Sequence, residues 1–274
     1  MFENYSVLMS VYAKESATFL KESIESILGQ TKKTNDFIIV IDGPLTESLD
    51  NLLNEYQQNY HEIKLIRLKK NVGLGLALNE GLKNCKNELV ARMDSDDIAL
   101  PDRCDLQIKE FNKKPNLSIL GTQIAEFYDS PSKIESMRIV PVNYNDILKF
   151  SKRRSPFNHP TVMYKKSEII SIGGYNDVKR KEDLDLFLCA LSKGFYAQNL
   201  NNIGLYFRSN KDNYLRRKDK VNCKSYITTI YKFTKRGYCS WIDFLYVFAS
   251  QVFFLISPNW LMKKVSDKFL RRKA

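Results

Sequence analysis

The chain has 274 residues, 43% of them hydrophobic, so it can bury a substantial core in one large domain with an appendage. Its net charge of +12 favours anionic partners, and two histidines are too few for a multi-histidine zinc site. Five cysteines without paired spacing exclude a disulfide framework, and the N-terminus lacks a signal-peptide pattern, so we expect a protein of the reducing cytoplasm.

The first hundred residues alternate between strands and helices. Apolar runs predict strands at 5–12, 37–41, 63–68 and 89–93, and helical patterns lie in the segments between them. This alternation predicts right-handed crossovers and an open, mostly parallel sheet with helices on both faces. The loops after the strands then gather at one edge of the sheet, which brings Asp42 and Asp94 near each other.

Clustered carboxylates follow the fourth strand, at Asp94, Asp96 and Asp97. Carboxylate oxygens are the ligands that hard divalent cations prefer, and open α/β folds bind ligands at the carboxyl edge of the sheet. The pattern therefore favours a site for a metal-chelated diphosphate. A solvated turn that caps the next helix is the alternative, since Asp and Ser favour turns and N-caps.

Two other segments bear on function. Gly73 and Gly75 do not complete a dinucleotide fingerprint, because its third glycine is replaced by Leu78, and a Rossmann dehydrogenase is thereby rejected. Glu182 and Asp183 open a predicted helix. Acidic residues are favoured in a first helical turn by the helix dipole, so their position alone does not assign them a function.

In combination, these segments resemble the family 2 glycosyltransferases of the GT-A fold. The ordered set comprises SVLMSVY near the N-terminus, Ile-Leu-Gly-Gln-Thr at 27–31, Ile-Asp-Gly-Pro at 41–44, the glycine-containing segment 71–81, the aspartates at 94–97 and Glu-Asp at 182–183. Asp-Gly-Pro-Leu, His-Pro-Thr at 159–161 and Tyr-Leu-Arg-Arg at 214–217 are most similar to bacterial transferases that build O-antigen, capsule or exopolysaccharide repeat units.

The resemblance implies a domain organisation. A GT-A catalytic domain is expected over residues 1–217, with a nucleotide-sugar half at about 1–100 and an acceptor half at about 101–217. A basic, amphipathic helical extension close to the membrane is expected over 218–274.

The resemblance also implies roles for residues of the donor and metal site. Asp42 is expected to contact the donor nucleobase, and Asp94 to lie near the donor ribose and the metal. Asp96 is expected to bind Mn²⁺ or Mg²⁺ bridging the diphosphate. Arg216 and Arg217 are expected over the donor phosphates, and Arg92 is also assigned to donor binding.

The remaining implied roles concern catalysis. Asp183 matches the catalytic base of inverting members, Glu182 is its usual neighbour, and His159 is assigned to acceptor binding. The chain departs from the family where Ala13 replaces the common Asn after the first strand, and where Asp42 stands alone in place of a frequent double aspartate. It also lacks the Gln-x-x-Arg-Trp motif of processive synthases, so we expect one sugar per encounter.

The implied activity is inverting, metal-dependent transfer of one sugar from a nucleotide-sugar, by resemblance a UDP-sugar, to a saccharide hydroxyl. The implied acceptor is linked to polyprenyl diphosphate. A nucleotidyltransferase-like enzyme and a non-catalytic, basic, membrane-associated binding protein are the alternatives. Nucleic acid is not an expected partner, because the chain carries no zinc-finger, RNA-recognition or helix-turn-helix signature.

The basic C-terminal part surrounds an aromatic and apolar run at 241–256, interrupted by Asp243 and Gln251. A membrane-spanning helix needs about 20 predominantly apolar residues, so spanning is the least favoured interpretation. An interfacial helix on the inner face of the cytoplasmic membrane is favoured, with its cations facing anionic lipid. Packing on the catalytic domain or on a partner chain is the alternative. The predicted location is cytoplasmic and peripheral on the inner membrane.

Overall fold

The computed structural model describes residues 1–209 and 219–258, together with the backbone of 272 and 273. The strands are β1 (Tyr5–Val11), β2 (Phe37–Ile41), β3 (Ile63–Arg67), β4 (Leu89–Met93), β5 (Ile98–Ala99), β6 (Leu117–Phe127), β7 (Ile134–Arg138), β8 (Met163–Lys165), β9 (Tyr196–Arg208) and β10 (Arg272–Lys273). The helices are α1 (Ala17–Leu28), α2 (Glu47–Asn59), α3 (Leu74–Asn84), α4 (Arg103–Lys113), α5 (Tyr144–Ser151), α6 (Lys166–Ser171), α7 (Glu182–Ser192), α8 (Lys220–Lys235) and α9 (Trp241–Ile256).

The strands form one sheet with the order β10-β7-β6-β8-β4-β1-β2-β3, and β9 pairs with both β5 and β6. The first four strands pair in parallel, as the alternation of strands and helices predicted. Antiparallel pairing begins at β8, which inserts between β4 and β6. The α/β fold class is confirmed. Its run of adjacent parallel strands ends at β4, which precedes the clustered aspartates, and β6 and β9 form a further parallel pair.

Helices cover both faces of the sheet because the central strands are apolar on both sides. In β2, Phe37, Ile39 and Ile41 belong to the core beneath α1 and α2. Ile38 and Val40 belong to the opposite core, beneath α3 and α7. The expected helices on both faces of the sheet are therefore present.

Helix α3 lies unusually close to the sheet. A Cβ atom added at Gly81 would collide with Leu8 Cδ1 and would lie 2.6 Å from Val40 Cγ2. At the N-terminus of α3, a Cβ atom at Gly75 would lie 3.1 Å from Glu182 Cβ. The glycines of this segment therefore allow α3 to pack tightly on the sheet at one end and on the start of α7 at the other.

Helices α8 and α9 pack on the outer side of α7 through a separate apolar core, which contains Leu184, Leu188, Cys189, Ile230, Phe233, Cys239 and Val247. One ion pair reinforces this contact, and a second joins α9 to the loop after α5. Lys232 Nζ lies 2.7 Å from Oδ1 of the fully buried Asp185, and Arg153 Nε lies 2.6 Å from Asp243 Oδ1. The C-terminal helices are thus anchored to the helix that begins with Glu182 and Asp183.

Helix α9 buries two polar side chains and exposes large apolar ones. Its buried stripe is Asp243, Val247 and Gln251, spaced four residues apart. Its outward residues are large and apolar, namely Trp241, Ile242, Leu245, Tyr246, Phe248, Val252, Phe253 and Ile256. Across the described part of the chain, every helix is too short or too polar to cross a bilayer.

Candidate functional site

The carboxylates of Asp94, Asp96 and Asp97 converge in the loop after β4. One ligand atom from each lies within 4.8 Å of the others. They converge because the loop leaves β4 at the carboxyl edge of the parallel strands and turns at once into β5. The arrangement offers three anionic oxygen donors to one cation, which is the ligand chemistry of Mg²⁺ and Mn²⁺.

The loop is held by residues distant in the sequence. Ser23 Oγ donates to Asp94 O at 2.7 Å, and Ser95 Oγ donates to Glu15 Oε2 at 2.5 Å. Arg208, the last residue of β9, donates its backbone N–H to Asp97 Oδ1 and its Nε–H to Asp96 O, both at 2.8 Å. Its guanidinium also lies over the rings of Phe19 and Phe127. The acidic loop is therefore fixed from three directions.

The electrostatics of this loop favour a cation. Burial, together with the charges of Asp94 and Glu15, raises the pKa of Asp96 to about 7. Burial and the neighbouring aspartates also raise the pKa of Asp97 well above its ordinary value. Oδ2 of Asp97 is buried and has no hydrogen-bond partner among the described residues. Like charges held this close, with one oxygen unpartnered, are the environment that a divalent cation would stabilise.

Arg92 lies beneath the acidic loop and is 1% exposed. Its Nη2 forms an ion pair with Asp94 Oδ1, whereas its Nε and Nη1 have no hydrogen-bond partner in the described part of the chain. The positive charge of Arg92 lowers the pKa of Asp96 and the pKa of Glu182. In both residues burial raises the pKa by more, so the net shift is upward. One buried cation is therefore within electrostatic reach of both acidic groups.

Glu182 and Asp183 begin α7. Ser155 Oγ donates to Asp183 Oδ2 at 3.3 Å, and Arg138 Nη2 donates to Ser155 O at 2.9 Å, which holds the loop beside the carboxylate. Burial and the charge of Asp183 raise the pKa of Glu182 to about 7. A carboxylate with a pKa in this range can accept a proton near neutral pH.

Asp42 follows β2 and Asp94 follows β4. Strand β1 lies between β2 and β4 in the sheet. Since neighbouring strands are about 5 Å apart, the two residues share one edge of the sheet about 10 Å apart. The Asp42 carboxylate accepts hydrogen bonds from Val72 N at 2.7 Å and Gly73 N at 3.1 Å, so it fixes the entry to α3. A contact between Asp42 and the nucleobase stays a prediction.

His159 is buried in a short 3₁₀ turn, and its Nε2 lies 2.9 Å from the hydroxyl of Tyr175. Its ring also packs edge-on against Phe187, and burial lowers its pKa well below the ordinary value. A direct contact with the acceptor therefore stays a prediction. Arg216 and Arg217 lie outside the described residues.

The sequence interpretation missed Glu15 and Arg208. Glu15 lies in the loop after β1, and Arg208 lies 112 residues from the backbone oxygen of Asp96 that it binds. No local pattern marks either residue. Only the sheet topology indicates Arg208. Strand β5 directly follows the acidic loop, so the end of the strand that pairs with β5 must lie beside that loop.

The α/β sheet with its acidic loop at the carboxyl edge is the GT-A type of glycosyltransferase fold. The model of glycosyl transferase family 2 matches residues 6–172, and the chain belongs to this family. The suspected resemblance is therefore confirmed, and the protein is a glycosyltransferase.

Named relatives cover nearly the whole chain. A glycosyltransferase of Haemophilus influenzae, described as uncharacterized, is 38% identical over 269 residues, covering 98% of this chain and 99% of its own. The UDP-Gal:alpha-D-GlcNAc-diphosphoundecaprenol beta-1,3-galactosyltransferase of Escherichia coli is 36% identical over 270 residues, covering 97% and 98%.

Among solved structures, the mannosyltransferase PcManGT of Pyrobaculum calidifontis, in complex with GDP-Man and Mn²⁺, has a TM-score of 0.67 at 13% identity. The match covers 96% of this chain and 73% of that chain. At this identity, the likeness shows the shared fold.

Proposed function

We propose that the protein is an inverting, divalent-metal-dependent transferase that moves one sugar from a UDP-sugar to a saccharide carried on polyprenyl diphosphate. The observation that carries the proposal is the buried cation of Arg92, which forms an ion pair with Asp94 in the loop after β4. Its charge also lowers the pKa of Asp96 in that loop and the pKa of Glu182 at the start of α7, which supports one site shared by both acidic groups.

The acidic loop supports a role in departure of the nucleotide. Asp94, Asp96 and Asp97 would hold Mn²⁺ or Mg²⁺, which supplies positive charge against the negative charge that grows on the leaving nucleoside diphosphate. Arg208 keeps these carboxylates in place through its bonds to Asp96 and Asp97. Preorganised charge of this kind stabilises a transition state without reorganisation during the reaction.

The carboxylates at the start of α7 support a role in activation of the acceptor. Asp183 takes the proton of the acceptor hydroxyl as that oxygen attacks the anomeric carbon. The pKa of the neighbouring Glu182 is raised, so its protonation reduces the negative charge beside this base. Displacement in one step, without a covalent intermediate, converts an α-linked donor into a β-linked product.

The substrate classes rest on the relative from Escherichia coli, whose name gives a UDP-sugar donor, an acceptor on diphosphoundecaprenol and a β linkage. All three agree with the expectations drawn from the sequence. The outward face of α9 adds structural support for a lipid-linked acceptor, because Ile242, Leu245 and Ile256 are each at least 60% exposed. Exposed apolar patches of this kind mark interaction sites.

We assign the outward face of α9 to an anionic bilayer. Lys235 and Arg236 precede the helix, and the segment 263–273 adds further basic residues in the sequence. Apolar side chains that enter the headgroup region, flanked by cations, bind anionic membranes by both burial and charge. The protein then works peripherally at the inner face of the cytoplasmic membrane.

Turnover tests the catalytic proposal. The purified chain, with UDP-galactose, Mn²⁺ and N-acetylglucosamine linked to a lipid diphosphate, should release UDP and form a β-linked disaccharide. Asp96→Ala and Asp183→Asn should each reduce the rate by at least about 100-fold. Glu80→Gln, at an exposed ion pair on α3, is the matched control and should retain full activity.

The outcomes separate the alternatives. An α-linked product would overturn inversion, and full activity in EDTA would overturn metal dependence. Release of pyrophosphate would identify a nucleotidyltransferase. A panel of UDP- and GDP-sugars, screened for an increase in melting temperature, identifies the donor independently of the acceptor.

Vesicle flotation tests the membrane assignment. Ile242→Ser combined with Leu245→Ser should reduce binding to vesicles of phosphatidylglycerol and phosphatidylcholine, because both side chains lie on the outward face of α9. Ile170→Ser removes an equally apolar side chain that is 49% exposed on α6 and serves as the control. Equal flotation of both variants would refute the assignment.

A further inference from the structure

A group of cations lies between the start of α7 and the outward face of α9. Arg138, Arg154 and Lys181 form this group, which we call the basic collar, and all three side chains are half-buried. They come from β7, from the loop after α5 and from the residue before α7. Their common neighbour is Tyr226 on α8.

Tyr226 contacts Lys181 and the loop that carries Arg154. Lys181 Nζ lies 5.0 Å from the centre of the Tyr226 ring, and the Tyr226 hydroxyl donates to Arg153 O at 2.6 Å. Loss of solvation raises the pKa of Tyr226, whereas the charges of Arg154 and Arg138 lower it. Arg154 directly follows Arg153, and Arg138 Nη2 donates to the backbone oxygen of the next residue, Ser155, at 2.9 Å, so both arginines lie at the loop segment that Tyr226 binds.

The collar is continuous with the proposed catalytic base. Arg138 binds Ser155 O, and the hydroxyl of Ser155 donates to Asp183. Asp183 also acts electrostatically on Tyr226. On its other side the collar reaches α9, because the guanidinium of the adjacent Arg153 lies 4.7 Å from the centre of the Tyr246 ring.

We propose that the basic collar binds the diphosphate of the lipid-linked acceptor, between the acceptor hydroxyl at Asp183 and the lipid at α9. This inference rests on the proposed function and assigns a position to the acceptor's anionic group. In such an acceptor, one sugar separates the reacting hydroxyl from the diphosphate, and the prenyl chain follows directly. The collar occupies the corresponding middle place between Asp183 and the apolar face of α9.

The chemistry of the collar suits a diphosphate. Arginine presents planar donors that match phosphate oxygens, and charge-assisted hydrogen bonds to phosphate are stronger than neutral ones. Arg138 already donates to Phe157 O, Asn158 Oδ1 and Ser155 O, so its contribution to the collar is its positive charge. Partial burial of Arg154 and Lys181 reduces the screening of their charges by solvent. A neutral glycan acceptor would gain little from positive charge concentrated at this place.

Direct binding tests the proposal without a donor sugar or turnover. The probe is farnesyl diphosphate, titrated calorimetrically into the full-length protein in buffer with EDTA. Arg154→Gln and Lys181→Gln should each weaken binding about tenfold, because each removes one cation from the collar. Lys224→Gln removes an exposed cation from α8, where Tyr226 also lies, and should change affinity less than about twofold.

Two further measurements distinguish the collar from other phosphate sites. Asp96→Ala should bind farnesyl diphosphate as the wild type does, because the donor site is not involved. Farnesol, which lacks phosphate, should bind the wild type and the collar variants equally. Loss of diphosphate binding in Asp96→Ala, or equal affinity of the collar variants and Lys224→Gln, would overturn the proposal.

Vesicles of phosphatidylglycerol separate the acceptor diphosphate from bilayer headgroups. Arg154→Gln should partition onto these vesicles within about twofold of the wild type. A loss of partition of about tenfold, with unchanged farnesyl diphosphate binding, would assign the collar to headgroups and overturn the proposal. Absence of sugar transfer would instead refute the proposed function, so the two failures are distinguishable.

Discussion

Replacement of Glu182 by glutamine should stabilise the protein at neutral pH. The pKa of this carboxyl is raised from 4.5 to about 7, mainly by burial and also by the charge of Asp183. The native state therefore keeps a proton that the unfolded state releases above pH 4.5. Stability from this group is fully present below pH 4.5 and is lost as the pH rises to about 7. A glutamine side chain at this position cannot ionise, so that loss should disappear.

The pKa difference sets the size of the effect. Each pKa unit corresponds to about 1.4 kcal/mol, so the upper limit at about pH 8 is about 3 kcal/mol. Because Asp183 shares the repulsion and solvent reaches part of the side chain, we expect a gain of about 1–3 kcal/mol for Glu182→Gln. At about pH 4.5 the gain should be within about 0.5 kcal/mol, since little charge remains to remove.

Urea denaturation of the metal-free protein at about pH 4.5 and about pH 8 measures both values. Glu80→Gln, at an exposed i,i+3 ion pair with Lys83, provides the control and should change stability little at either pH. Equal effects of Glu182→Gln at the two pH values would contradict the reasoning, as would a loss of stability at the higher pH. The variant should also transfer sugar more slowly, because functional carboxylates commonly trade stability for activity.

Three other substitutions test the packing and the buried charges by urea denaturation. Gly81→Ala should destabilise the protein by about 1–3 kcal/mol, because the added methyl group collides with side chains of β1 and β2. Lys232→Met should cost about 2–3 kcal/mol by leaving the buried Asp185 without its cation, whereas Lys109→Met, at an exposed pair, should cost less than about 0.5 kcal/mol. Burial raises the pKa of the Asp36 carboxyl, but the hydrogen bonds that this carboxyl accepts lower the pKa by more. Asp36→Asn should therefore destabilise the protein most at about pH 7. Its cost should shrink below about pH 4, and a cost independent of pH would contradict this assignment.

The first four strands of the fold could be predicted because their pattern is local. The apolar run at Phe37–Ile41 and the three other early runs became parallel strands, each separated from the next by a helix. Alternation of this kind leaves few topologies, so the clustered aspartates could be assigned to one edge of the sheet from the sequence. Their convergence within 4.8 Å also depends on the turn of this loop from β4 into β5.

Long-range partners could not be predicted in this way. In α9, Asp243 and Gln251 looked like interruptions of an apolar surface, yet both point inward. Asp243 does so because Arg153, 90 residues earlier, forms an ion pair with it. The composition of the helix was visible in the sequence, but the side facing the protein depended on a partner that only the fold supplies.

Arg208 has a consequence for the order of events during protein synthesis. Asp97 receives its backbone hydrogen bond from a residue 111 positions later, and Leu100 N donates to Gly204 O at 3.0 Å. At about 5–20 residues per second, the acidic loop is synthesised roughly 5–20 s before the residues of β9 that bind it. A nascent chain arrested before residue 204 would contain all three aspartates but not the residues of β9 that hold them in place. The three aspartates thus reach their final arrangement only after β9 has been synthesised.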